Sequence, residues 1–443
     1  MSIEKVAVIG AGLMGSGIAA HCANAGIEVV LLDIVPKDKE KDRSAIAKEA
    51  IEKNRKSNPA AFMHKDAHKL ITPGNIEDNM DLIADCDWII EAVIENLDIK
   101  HDTYKKIEEH RKDTAIVSSN TSTIPIKDLI EGRTEGFKSH FVITHFFNPP
   151  RYMRLLELVV SDETDKEVEE RITEFCDRKL GKGVVKCNDR PAFIANRLLV
   201  FFLQAAINEK FKQNISVEVA DAVLSKPVGV PKTGAFGLID LVGIDLMPHL
   251  AESMTSRLPK KDPYQRAYKD YPFIKQMIEA GYTGRKGKGG FYRLDPNSSD
   301  KTKQALDVNP DEFDESQYRK AKKPKLKSAD VKKLDIQSVI TTDDEGGRYA
   351  WAVLRQSLSY AASLVPEIAD NVHAVDRAMQ MGCNWKLGPF EMLDKIGPAW
   401  FARKLMSEGK EIPELLKKVG EGKFYKIIEG RKHYFGTDGQ YYP

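Results

Sequence analysis

The chain has 443 residues, a length that suits two or three domains. It carries 67 Lys and Arg against 66 Asp and Glu, a net charge of +1, so no global field would recruit nucleic acid or an acidic membrane. Its five cysteines (Cys22, Cys86, Cys176, Cys187, Cys383) contain no Cys-x-x-Cys pair and read as reduced thiols, not a disulfide framework. The first residues lead straight into a strand without a signal-peptide pattern. The most apolar stretch, residues 198–207, includes Gln204 and reaches about half the length of a membrane span. The expectation is a soluble, cytoplasmic protein with no membrane span and no nucleic-acid partner.

Residues 6–9 (VAVI) are β-formers in a continuous apolar run, as in a strand buried on both faces. Gly10, Gly12 and Gly15 follow in a GxGxxG pattern, then apolar residues at helical spacing, then a second strand over residues 28–32 that ends at Asp33. Strand, glycine loop, helix, strand and acid make the dinucleotide-binding unit. Gly10 permits the tight turn, Gly12 lets a pyrophosphate approach the backbone at a helix N-terminus, and Gly15 lets the helix lie close on the sheet. A carboxylate at Asp33 accepts hydrogen bonds from an adenosine ribose and repels a 2′-phosphate, which favours NAD over NADP.

Residues 37–70 are rich in Lys, Asp, Glu and Ala and read as solvent-exposed helices, and residues 71–74 (ITPG) as a break. Strands are expected at 88–93 and 115–119, with a helix beginning near Leu97. Glu95, and the cluster Asn120 to Thr123, fall where these strands end, the edge at which an open parallel sheet binds ligands. Alternating strands and helices over about 120 residues predict an α/β, Rossmann-type doubly wound sheet.

The stretch HFVITHFFNPPRYMRLLELVV, residues 140–160, departs from that alternation. Two strand-like runs flank Asn148-Pro149-Pro150, a hairpin-type connection without a helix. Pairing symmetric about Arg151 sets His145 opposite Glu157. Cross-strand Cβ atoms lie about 4.5–5.5 Å apart. The carboxylate then takes the proton of one imidazole nitrogen and leaves the other nitrogen as a base. His64 and His68 have the i, i+4 spacing of metal ligands but no third ligand, so no metal site is assigned.

From Asn188 onward the pattern is helical. Gly234, Phe236, Asp240 and Gly243 recur with one constant offset as Gly388, Phe390, Asp394 and Gly397. Each set is preceded by a helix carrying Asp221 or Asp376, and followed by GGFY (289–292) or GKFY (422–425). This predicts two all-helical domains related by internal duplication. The expected boundaries are 1–187 for the dinucleotide fold, 188–294 and 341–443 for the helical copies, and 295–340 for a charged linker. That linker carries Arg319, Lys320, Lys322, Lys323, Lys325, Lys327, Lys332 and Lys333. It reads as a solvated connection, with a basic patch greeting the phosphates of a ligand as the competing reading.

The motifs GAGLMGSG (10–17), EAVIEN (91–96), SNTS (119–122), HFFNP (145–149), Glu157 and PAFIANRLL (191–199) together resemble the L-3-hydroxyacyl-CoA dehydrogenases of fatty-acid β-oxidation. The resemblance implies NAD as cofactor and oxidation of a (3S)-3-hydroxyacyl-CoA to the 3-ketoacyl-CoA. It makes His145 the general base, Glu157 its orienting partner, and Ser122 and Asn196 hydrogen-bonding groups for the reacting oxygen or the thioester carbonyl. It sets Leu13, Met14, Val93, Glu95, Lys100, Asn120, Ser122 and Asn148 along the cofactor, beside Gly10, Gly12, Gly15 and Asp33. An imidazole, ordinarily near about 6.5, suits such a base. Asn196 also reads as a helix cap.

In this family, chains with two helical domains belong to multifunctional enzymes, so the resemblance implies either a stand-alone dehydrogenase with a doubled helical tail or one piece of a longer chain with an enoyl-CoA hydratase domain or subunit as partner. The duplication implies either a monomer holding an internal pseudo-dimer or a homodimer. Competing readings are a dehydrogenase of a free hydroxy acid and a catalytically silent NAD-binding subunit.

Overall fold

The apolar run at residues 5–9 becomes β1 (Lys5–Ile9), an interior strand of a sheet whose inner strands are buried nearly throughout. The computed structural model describes residues 2–37, 42–331 and 333–443, so Lys332 of the basic stretch and residues 38–41 of the polar segment lie outside the described residues. The chain divides into two units, Met1–Phe193 and Ile194–Pro443.

The first unit is built on eight strands: β1, β2 (Glu28–Asp33), β3 (Ile71–Asn75), β4 (Trp88–Glu91), β5 (Ile116–Ser119), β6 (Phe141–Phe146), β7 (Leu155–Val159) and β8 (Gly183–Lys186). Their order is β3-β2-β1-β4-β5-β6-β7-β8. All neighbours pair in parallel except β6 and β7, the predicted hairpin, which pair antiparallel with His145 opposite Glu157. Helices Leu13–Asn24, Leu97–His110 and Lys166–Arg178 connect strands, and Asn96 caps the second by accepting the Ile99 N–H at 3.1 Å. Trp88 is fully buried and donates its indole N–H to Ser118 Oγ at 2.8 Å, which satisfies the ring's one polar group.

Two expectations for this unit change, and one strand goes unannounced by the sequence. Residues 71–74 are not a break but part of β3. Pro73 lacks an N–H to donate, and β3 is the outermost strand of the sheet, where one missing donor costs little. Strand β8 carried no sequence signal, since Gly183 opens a run of only four residues. The polar segment after Asp33 holds one α-helix among its described residues, Ala45–Arg55, and a short turn at Ala67–Leu70.

In the second unit, helix Ala195–Gln213 is apolar on most sides and packs against helix Glu345–Ser363. Phe201 and Tyr360 stack at 4.0 Å, and the Tyr349 hydroxyl donates to the Ala206 carbonyl at 3.0 Å. One hydrogen-bond circuit occurs twice. Asp221 accepts the N–H groups of Phe236 (2.7 Å) and Gly237 (2.9 Å), and Asp240 those of Phe291 (2.7 Å) and Tyr292 (2.8 Å). Asp376 accepts those of Phe390 (2.8 Å) and Glu391 (3.0 Å), and Asp394 those of Phe424 (2.7 Å) and Tyr425 (2.9 Å). A Cβ on Gly234 would sit 2.5 Å from the Asp221 side chain, and one on Gly388 2.3 Å from Asp376, so one contact requires glycine in both copies.

Strands do not end at Asn188. Strands β9 (Tyr292–Leu294), β10 (Lys303–Leu306) and β11 (Tyr318–Lys320) form one antiparallel sheet. Strands β12 (Tyr425–Ile428), β13 (Arg431–Phe435) and β14 (Tyr441–Tyr442) form another. The segment expected as a charged linker therefore contains two strands and buries Ala305, Leu306, Val308 and Tyr318. Strands of two to five residues carry too few alternations to stand out from a polar background.

Candidate active site

The first unit gathers its candidates along one edge. Gly10 to Gly15, Asp33, Val93, Glu95, Asn120, Ser122 and His145 follow or end β1, β2, β4, β5 and β6, at the carboxyl ends of parallel strands. The three glycines have different reasons to be glycine. Gly10 has φ +103°, and a Cβ there would lie 2.5 Å from the Ala92 carbonyl oxygen. A Cβ on Gly15 would lie 1.8 Å from the Gly10 carbonyl oxygen. A Cβ on Gly12 would meet nothing within 4 Å. The chain's own packing thus demands Gly10 and Gly15, whereas Gly12 fronts open space at a helix start that no side chain caps. A pyrophosphate fits that cradle, with the free N–H groups of the first turn directed at it.

This separation is testable. Gly15→Ala should destabilise the fold by about 1–3 kcal/mol or more through overpacking. Gly12→Ala should leave the melting temperature unchanged and weaken NADH binding. Thermal melts with and without NADH check both.

Asp33 accepts the N–H of Ala11 in the glycine loop and that of Ile34 at 2.7 Å, tying the loop to the end of β2. Leu13, Ile34 and Ile94 are exposed large apolar residues on the same edge.

Beneath the edge lies a polar cluster that the sequence reading missed. Glu91, wholly buried, accepts Lys100 Nζ (2.8 Å) and the Val93 N–H (2.8 Å) on one oxygen. Its other oxygen accepts the hydroxyls of Tyr104 (2.6 Å) and Ser119 (2.6 Å). Lys100 also reaches Glu95 at 3.2 Å, and Thr121 and Thr123 donate to Glu95. Burial pushes the Glu95 carboxyl up, but the charge of Lys100 and the two hydroxyls hold it below its ordinary value. Lys100, itself buried, therefore spends its charge on two carboxylates, and Glu95 is the member of the trio with exposed surface. A glutamate inside an apolar strand run was the available signal for Glu91.

His145 and Glu157 meet as the register predicted. The imidazole Nδ1 lies 2.7 Å from Glu157 Oε2. Glu157 is fully buried and His145 6% exposed. The rings of Phe147 (4.6 Å) and Phe193 (5.7 Å) flank the imidazole. Asn120 directs its side-chain carbonyl to the N–H of Phe146 at 2.9 Å, fixing the residue next to His145. The Ser122 carbonyl accepts the Ala192 N–H at 3.1 Å. Ala192 and Phe193 both have left-handed backbones (φ 64° and 46°), a strain that clusters at functional sites. Asn148 is exposed in the hairpin turn.

Asn196 belongs to the second unit, in the first turn of helix Ala195–Gln213. The cap position there is Ile194, so the capping reading of Asn196 does not hold, and its side chain is half-buried. His64 Nδ1 accepts the Asp66 N–H and His68 Nδ1 bonds the Lys65 carbonyl, both local turn contacts. Among the described residues, no group of three or more His, Cys, Asp or Glu is arranged to hold a metal, and no helix is long and apolar enough to cross a membrane.

The family model for the 3-hydroxyacyl-CoA dehydrogenase NAD binding domain matches residues 5–190, and that for the 3-hydroxyacyl-CoA dehydrogenase C-terminal domain matches residues 193–294. The chain is similar to a "Putative fatty acid oxidation complex trifunctional enzyme" of Rickettsia felis, 42% identical over 391 residues, covering 88% of this chain and 53% of that protein. It is also similar to a "Probable 3-hydroxyacyl-CoA dehydrogenase" of Bacillus subtilis, 38% identical over 458 residues, covering 99% of this chain and 57% of that protein. The chain thus spans about half the length of these two relatives. A crystal structure of 3-hydroxybutyryl-CoA dehydrogenase from Escherichia coli matches with a TM-score of 0.70 over 94% of this chain and 98% of its own, at 21% identity, a likeness of fold. With an NAD-binding fold closed by a histidine–glutamate hairpin, and family models matching that fold and the helical residues 193–294 that follow it, the chain belongs to the 3-hydroxyacyl-CoA dehydrogenase family.

Proposed function

We propose that the protein oxidises (3S)-3-hydroxyacyl-CoA to 3-ketoacyl-CoA in fatty-acid β-oxidation, with His145 as general base. The observation that carries this reading is the buried His145–Glu157 pair at the ligand edge of the sheet. Bound NAD supplies the hydride acceptor. Glu157 holds Nδ1 of the imidazole, which leaves Nε2 to take the proton of the 3-hydroxyl, and its charge steadies the imidazolium that forms. Ser122 hydrogen-bonds the reacting oxygen. Asn196, not used as a cap, keeps its amide for the same class of contact. Asp33 holds the adenosine ribose, and Glu95 with the loop at Gly12 to Met14 lines the cofactor.

The catalytically silent reading is disfavoured by this pairing, since a scaffold has no need of a buried base. The free hydroxy acid reading lacks the support that the relatives' names lend to an acyl-CoA. The test is absorbance at 340 nm with acetoacetyl-CoA and NADH. Consumption of NADH supports the proposal, and NADH binding without consumption overturns it.

Asp33→Ala should raise the dissociation constant for NADH by about tenfold or more, one hydrogen bond to a charged group being worth about 1.5–3 kcal/mol. A fluorescence titration of NADH reads this directly.

We further propose domains at 1–187, 188–294 and 341–443, with the segment 295–340 joined to the first helical copy through its sheet. The two copies act as a pseudo-dimer within one chain, an enoyl-CoA hydratase domain or subunit is the partner, and the protein works in the cytoplasm.

A further inference from the structure

The repeated circuit of the second unit provides an internal control for charge. Both copies hold a pair of aspartates against backbone N–H groups and bring a lysine over the tyrosine of the circuit, but in the second copy that lysine, Lys432, is held by Glu391 at 2.5 Å, whereas Lys303 of the first copy has no such carboxylate among the described residues. A cavity of about 1190 Å³ lies over Asp221 and Asp240 and is lined by Lys232, Arg285, Lys288, Arg293, Lys303 and Lys322, among others. Where the first copy has Lys288, the GGFY/GKFY correspondence gives the second copy Glu421. Lys303 and Lys322 come from the segment that connects the copies.

The acids in the groove are already engaged. Glu218 is held by Arg319 at 2.7 Å, and Asp221 and Asp240 each accept two backbone N–H groups. Among the described residues Lys232, Arg285, Lys303 and Lys322 form no ion pair. Lys303 instead sits over the Tyr292 ring at 3.8 Å. Arg285 rises from a tight glycine loop pinned by a bridge between Gly284 and Gly289, and its neighbour Lys286 is the cation of that loop neutralised by a carboxylate, Asp245 at 2.8 Å. Thr233 Oγ1, on the same wall, is a buried hydroxyl without a hydrogen-bond partner. A concave surface lined by one sign of charge focuses its field on a bound counter-ion. Arginine offers a bidentate fork to a phosphate, and lysines add point charges.

We propose that this groove is an anion site of the second unit that takes a small molecule bearing two or more phosphate groups, separate from the glycine-loop crevice of the first unit. Its volume exceeds what a lone phosphate fills and matches a nucleotide-sized ligand.

The test is calorimetric titration of the NADH-saturated full chain, so that the glycine loop is already occupied. The probes are pyrophosphate and adenosine 3′,5′-bisphosphate. One binding event is expected. The triple variant K232S/R285S/K322S should weaken it by about 10²-fold or more, with an unchanged melting temperature. The triple variant K395S/K423S/K426S, which removes the same charge from the second copy, should retain it. Tighter binding of the adenosine compound identifies a nucleotide as ligand, and tighter binding of pyrophosphate a free polyphosphate. Absence of binding to both probes overturns the proposal, as does equal weakening by the two triple variants.

Discussion

Replacing His145 by glutamine should lower turnover of acetoacetyl-CoA by about 10²–10⁴-fold, the range that a positioned general acid or base contributes. NADH affinity should not change. Glutamine keeps a polar group beside Glu157 but offers no nitrogen that can take or return a proton. The cofactor cradle at Gly10 to Gly15 follows another strand and is left intact. Glu157→Gln separates orientation from charge. Its amide still reaches Nδ1, so the ring stays oriented, but the negative charge that steadies the imidazolium is gone. Turnover should then fall less than in His145→Gln, again without loss of NADH binding. Stopped-flow absorbance at 340 nm under single-turnover conditions isolates the chemical step from product release. Wild-type rates in His145→Gln would move the base elsewhere.

The His145–Glu157 register was legible because two local rules coincide. Asn148-Pro149-Pro150 forces the chain to turn, and the two-residue period of a strand then allows one pairing that keeps both runs buried. The glycine loop was legible because each glycine answers to a stated need, and the structure adds which need is internal and which points at a ligand. Strand β3 was not, because Pro73 and Gly74 break most strands and only its place at the sheet edge makes them harmless. The Glu91 cluster was hidden for a different reason. Its partners Lys100, Tyr104 and Ser119 come from a helix and another strand, so no spacing along the chain announces them. The duplication was visible as matched letters, but the cause of the match is the close approach of Gly234 to Asp221 and of Gly388 to Asp376.

The largest loss of stability is expected from Asp376→Ala. Its carboxylate accepts the Phe390 and Glu391 N–H groups and the Tyr425 hydroxyl at 2.9 Å, in a site with 1% exposure. Alanine strands all three donors out of reach of water, at a cost of about 3 kcal/mol or more. The same removal at Asp221 should cost a similar amount, because the same two helix-start N–H groups lose their acceptor. The two sites also share a pH signature. Burial pushes the Asp376 carboxyl up to about 8 and that of Asp221 to about 7, against backbone hydrogen bonds that pull them down. A carboxyl with a folded value above its unfolded value of 3.8 binds more protons in the folded chain. Its contribution is thus fully present below about pH 4 and is lost as pH rises through about 8. Denaturation midpoints of the wild type should therefore fall between about pH 4 and about pH 8, and Asp376→Ala should flatten part of that slope. If the copies are independent folding elements, the two alanine variants add, and a double variant that costs markedly less than the sum would instead mean that losing one circuit already releases the other.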